Sequence, residues 1–192
     1  MINLANPSNS ALLQRMTLGS LLTAATVLGS LALACAMPFA GLAALAVLFL
    51  PRRDAYVLIG VNWLANQLIG FALLHYPMTG AGLVAGLGLG VACFGGVVAG
   101  AFAADRLCKA VNFPLAALGT LAATFAAYEG LCFLTSIGHH DGDFVLSVQL
   151  YVLYLNGLAF AGLLAVQTIA QFAGLVVPSA VRHAGNAPAA LS

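Results

Sequence analysis

Hydrophobic positions run through this chain in long unbroken blocks, and polar residues cluster in the short gaps between them. The first block extends from Met16 to Leu50 without one charged residue. A membrane span needs about 20 apolar residues, so this block exceeds one helix and falls short of two full ones. Pro38 is its natural break, because proline removes a backbone donor and turns the preceding residue away from helix. The pattern predicts a first helix near 17–36 and a short second one near 38–50. "PRRD" at 51–54 closes that pair. A third apolar segment runs from Ala55 to His75 and ends in the polar turn "HYPMTG". A fourth runs from Ala81 to Ala104 and is followed by "DRLCK" at 105–109. A fifth occupies Pro114 to Ile137, and a sixth begins at Phe144 and fades around Val177. The expected fold is all-α: an integral membrane bundle of six transmembrane helices, the second one short. Its expected division is a polar N-terminal segment at 1–14, a transmembrane domain at 15–177 and a flexible tail at 178–192.

Composition sharpens this picture. Charged residues make up 6% of the chain and hydrophobic ones 62%, whereas a soluble domain carries about a quarter charged residues. Mean hydropathy is +1.05. So few charges cannot solvate a globule of 192 residues, which places the chain in the membrane class. The apolar run after Arg15 is too long for a signal-peptide core, and more membrane follows it, so no cleavable signal is expected. With a net charge of +1 and no basic run, nucleic acid is excluded as an expected partner. The four cysteines, Cys35, Cys93, Cys108 and Cys132, show no CxxC spacing and read as small buried hydrophobes. No internal repeat with paired broken helices is visible.

The six basic residues are Arg15, Arg52, Arg53, Arg106, Lys109 and Arg182. With six spans they all fall on one side, and the connections near 37, 75–80 and 138–143 carry none. The positive-inside rule then predicts that both termini are cytoplasmic. The expected location is a bacterial inner membrane.

Against this background the stretch "SIGHHDGDF" at 136–144 stands out. It is expected on the external face, between spans five and six. His139, His140, Asp141 and Asp143 supply imidazoles and carboxylates, a set suited to a transition metal such as cobalt, nickel or zinc. His75, beside Tyr76 in the other external turn, is placed at the same level. The alternative is a plain polar turn in which Gly138 and Gly142 supply unusual backbone angles. The spacing is not a zinc signature, and both readings stay open.

Within the spans, Glu129 is the one acidic residue at depth, roughly 12 Å below the external end of its helix. An ionisable group there should face protein or a water-filled cavity. Gln149, Asn156, Gln167 and Gln171 fall within about 60° of one another on the sixth helix. Asn62 and Asn66 are i, i+4 on the third, with Trp63 and Gln67 beside them. Such amides either join helices, at about 0.6–2 kcal/mol each, or line a polar cavity. The expected binding set is Glu129, Asn62, Asn66, Gln149 and Asn156, and the expected metal set is His75, His139, His140, Asp141 and Asp143. The fourth span, with Gly82, Gly86 and Gly90 four apart and Gly96 and Gly100 likewise, reads as helix packing within the bundle or against a partner chain. "GLGLG" lies inside that span and is no nucleotide fingerprint. No nucleophile constellation or metalloprotease helix is present in the sequence, so no catalytic residues and no enzyme activity are expected.

Residues 17–54 carry a resemblance. A small-residue-rich first helix, a short second helix opened by "MPFAGL", and the turn "LPRRDA" follow one another. This order resembles the small membrane substrate-binding (S) subunits of energy-coupling-factor transporters for vitamins and cobalt. The likeness is architectural and covers about the first 75 residues. Ala25–Gly29 and Ala32–Ala36 only approximate the alanine motif by which that family docks its partner subunit. The resemblance implies six helices, an external vitamin or metal-ion ligand, and partner ATPase and transmembrane subunits; in this chain the glycine-rich helix faces would meet them. The leading expectation is a multi-pass component that binds and takes up a micronutrient, a vitamin such as cobalamin or a metal ion such as cobalt. The alternative is a structural or assembly subunit of a membrane complex with no transport activity of its own.

Overall fold

The computed structural model describes residues 37–136 and 145–172, together with Ser20 and Ala24. Five helices lie in these residues: α1 (Phe39–Phe49), α2 (Arg52–Ala72), α3 (Gly80–Ala110), α4 (Phe113–Thr135) and α5 (Leu146–Phe172). The helix expected near 17–36 falls outside the described residues except for Ser20 and Ala24, and so does the tail at 178–192. Among the described residues there is no strand. Four helices, α2 to α5, are long and apolar enough to cross a membrane.

Helix α1 follows directly from Pro38, which precedes its first residue. Its sequence, "FAGLAALAVLF", has no polar face, and a helix apolar all round belongs inside a protein. Ten of its 11 residues are buried. At 11 residues it is about 16 Å long, half the roughly 30 Å of a bilayer core. It touches all four spanning helices. Phe39 at its start tilts against Tyr128 at 6.5 Å, and Phe49 at its end meets Phe113 edge-on at 6.1 Å. Because Phe113 begins α4 and Tyr128 lies near its end, α1 runs antiparallel to α4. A second reversal follows at once. The Leu50 N–H donates to the Ala46 carbonyl, and Pro51 starts α2 at Arg52.

A helix that stops halfway through a membrane leaves orphan backbone donors where water is absent. Helix α5 answers this. The Gly41 N–H in the first turn of α1 donates to Asn156 Oδ1 at 2.8 Å, and Asn156 Nδ2 donates to the Val152 carbonyl at 2.9 Å. The side chain of Asn156 is fully buried. Gly41 permits the approach, because a Cβ there would sit 2.6 Å from the Asn156 carbonyl oxygen.

Helix α3 uses its small residues on two faces. Toward α2, the Trp63 ring lies on Gly90, where a Cβ would meet it at 2.9 Å. Toward α4, Gly96 and Gly100 pack on Thr124, whose hydroxyl donates to the Thr120 carbonyl at 2.7 Å. The glycine pattern of this span therefore serves packing within the bundle. The helix is longer than its apolar run: it continues through "DRLCK" to Ala110. Asp105 there pairs with Arg52, and the Arg106 guanidinium sits 4.5 Å over the Phe102 ring. Paired or exposed to solvent, these charges have no reason to end the helix. They mark a charged end of the bundle, opposite the α2–α3 turn.

Candidate functional site

The site begins with Trp63, the single tryptophan of the chain. On α2 it points toward the glycine face of α3, and its indole N–H donates to the Gly86 carbonyl at 3.0 Å. That bond fixes the spacing of α2 and α3 one turn below Asn66 and Gln67. Above it the two helices are held apart from the other end by their connection. His75 takes a left-handed φ of 57°, which reverses the chain, and its Nδ1–H donates to the Leu73 carbonyl at 3.0 Å. The Tyr76 N–H then donates to the Gly70 carbonyl at 3.0 Å, and the Tyr76 ring lies back on Gly70. Thr79 caps α3 by accepting from the Gly82 N–H at 3.2 Å.

Between the Trp63 clamp and this turn lies a cavity of about 250 Å³. Asn66, Gln67 and Tyr76 are the polar residues of its lining. Phe71, Pro77 and Leu89 supply apolar wall, and Gly82, Ala85 and Gly86 leave the room. Gln67 is pressed close to α3, since a Cβ at Gly86 would lie 2.6 Å from its Oε1. Among the described residues no acidic or basic side chain lines the cavity.

The expected binding residues divide among separate places. Asn66 lines the cavity. Glu129 on α4 hydrogen-bonds the side chain of Gln149 on α5, so these two do meet. On either side of Glu129 in sequence, the side chains of Tyr128 and Cys132 hydrogen-bond each other. Asn156 caps α1. Asn62 is fully buried on the α2 face that also carries Ala55, Leu58 and Ile59, and among the described residues neither of its side-chain polar atoms has a hydrogen-bond partner. Gln167 is buried on α5 with its Nε2 unpartnered.

Of the expected metal ligands, His75 is exposed and commits one ring nitrogen to the backbone. His139, His140, Asp141 and Asp143 lie outside the described residues. Among the described residues no group of three or more His, Cys, Asp or Glu side chains is placed to hold a metal ion. Cys93, Cys108 and Cys132 form no disulfide among the described residues. Gln67, Phe71, Tyr76 and Leu89 were not in the expected binding set. The signal for Gln67 was present: amides on one helix and glycines at i, i+4 on the next leave room between them.

Four apolar spanning helices around a buried half-length helix define a multi-pass α-helical membrane protein. Among the described residues, a cavity edged by Asn66 and Gln67 lies at the end away from the Arg52–Asp105 pair, Arg106 and Lys109. No protein-family model, curated protein or solved structure matches the chain.

Proposed function

We propose that this chain is a multi-pass membrane component that binds a small organic micronutrient from the external side and serves its uptake. The observation that carries this reading is the α2–α3 cavity, with Asn66 and Gln67 at its edge and Phe71 and Leu89 in its wall. Largely apolar walls with a few convergent polar groups are the usual make-up of a small-molecule site. The cavity adjoins the turn at 75–80, which has no basic residue, and the positive-inside rule supports an external position for that turn. The buried short helix after Pro38 supports the architectural likeness to energy-coupling-factor S subunits, and with it a role beside partner transporter subunits.

Within this proposal the cavity favours an organic cargo over a metal ion, since among the described residues no imidazole, thiol or carboxylate lines it. At about 250 Å³ it suits a single-ring vitamin and is far too small for a corrinoid. The alternative of an assembly subunit draws on the small-residue faces of the expected first helix, outside the described residues, and of α3, where Gly86, Gly88, Gly90, Gly96 and Gly100 are already covered by Gln67, Thr135, Trp63 and Thr124. That coverage supports the binding reading over it. The test is mass spectrometry of small molecules extracted from the full chain, gently purified in lipid nanodiscs. A stoichiometric organic compound is expected in the wild type and absent in Ala85→Phe, which places a ring in the cavity. Identical extracts from both proteins would overturn the proposal.

A further inference from the structure

The α2–α3 cavity also constrains the charge of what it holds. This step rests on reading the cavity as the binding site. The polar residues of its lining are two with carboxamides, Asn66 and Gln67, and one with a phenol, Tyr76. A carboxamide offers donors and an acceptor together and no net charge. The acidic and basic residues of the described chain lie elsewhere. Arg52, Arg53, Asp54, Asp105, Arg106 and Lys109 sit at the opposite end. Asp105 is 16 residues along α3 from the cavity-lining Leu89, about 24 Å at the rise of a helix. Glu129 is engaged by Gln149 across α4 and α5. His75 neighbours Tyr76 in sequence, but its ring is exposed and bonded to the Leu73 carbonyl.

Among the described residues the wall holds no counter-charge, so an ion entering this space would give up water without compensation from them, which is strongly unfavourable. A purely apolar occupant would cover the amides without replacing their hydrogen bonds, which is also unfavourable. We infer that the cavity between Asn66, Gln67, Tyr76 and Leu89 selects a neutral small molecule with a flat apolar body and an uncharged hydrogen-bonding group, such as a carboxamide or a ring carbonyl. It discriminates against the anionic or cationic counterpart of the same shape.

Trp63 provides the readout. It is the only tryptophan, and its indole is hydrogen-bonded to Gly86, which lines the cavity. A heavy atom held there lies close enough to the indole to quench its fluorescence. The full chain in phosphatidylcholine vesicles, which add no other tryptophan, is titrated with para-bromobenzamide and with para-bromobenzoate, a pair alike in shape and different in charge. Tryptophan octyl ester in protein-free vesicles of the same lipid corrects for partition into lipid. The expected result is saturable quenching by the amide, with the carboxylate at least tenfold weaker after correction. Gln67→Leu weakens the amide about fivefold, as expected for one lost hydrogen bond. Ala85→Phe, at an exposed rim position, removes saturation. If the carboxylate binds as tightly as the amide, the neutral-ligand inference is overturned and the cavity stands as a site. If neither probe saturates, or Ala85→Phe changes neither curve, the cavity itself is overturned as a site.

Discussion

Asn156 shows how one side chain at membrane depth can decide whether an element exists. Its carboxamide is spent entirely on backbone: the oxygen on the Gly41 N–H and the nitrogen on the Val152 carbonyl. Replacing it with leucine leaves a donor of α1 unsatisfied, a loss of about 1–3 kcal/mol. Asn156→Leu should therefore lower the thermal unfolding midpoint of the detergent-purified protein. Gly41→Ala should lower it as well, because the added Cβ meets the α5 backbone, which cannot turn aside. A midpoint unchanged in both variants would refute the cap. Asn62 makes the opposite case. Both its polar atoms are buried without a partner among the described residues, so Asn62→Leu removes a desolvation penalty and should leave the midpoint equal or higher. A clear fall would show that the amide has a role which burial alone does not reveal. The sequence located these asparagines on helices but could not separate their roles. An amide three turns from a helix end looks the same whether it caps a neighbour or faces nothing.

At the scale of elements, the α3 glycines set the distances between helices. Without a hydrophobic drive between helices in lipid, close packing carries much of the association. Gly100 lies under Thr124 and Val47, so Gly100→Val should push α3 from α4. Overpacking of this kind costs about 1–3 kcal/mol, readable in the same thermal assay. Thr124→Val is nearly isosteric and loses only a hydroxyl bonded within its own helix, so its midpoint should move much less. Equal effects from the two would argue against steric contact as the cause. The glycine spacing was plain in the sequence. Which face met α2 and which met α4 was not, because small residues on an apolar helix leave no polar side to orient it.

The molecule as a whole is polarised. Arg52 and Asp105 pair at one end, and the turn carrying Tyr76 and Pro77 lies at the other. The pair is solvent-accessible, with side-chain exposures of 58% and 31%, so Arg52→Ala should change stability by under about 1 kcal/mol. A sharper test of the polarity uses accessibility. In a variant without the native cysteines, Met78→Cys should react with an impermeant maleimide added to intact cells. Arg53→Cys should react only after permeabilisation. Labelling of both from the same side would rule out α2 as a single crossing.

Hydrophobic periodicity and the distribution of charge were enough to establish the membrane class, the short helix after Pro38 and the four long helices that follow. These depend on local facts: the length of apolar runs, and the placement of proline and arginine. The cap on α1, the two-sided use of α3 and the cavity above Trp63 depend on contacts such as Gly41 with Asn156, 115 residues apart. In a chain this apolar, most helix faces look alike, so only the tertiary structure could choose among them. It assigned Asn66 to a cavity edge, Asn156 to a cap and Glu129 to Gln149.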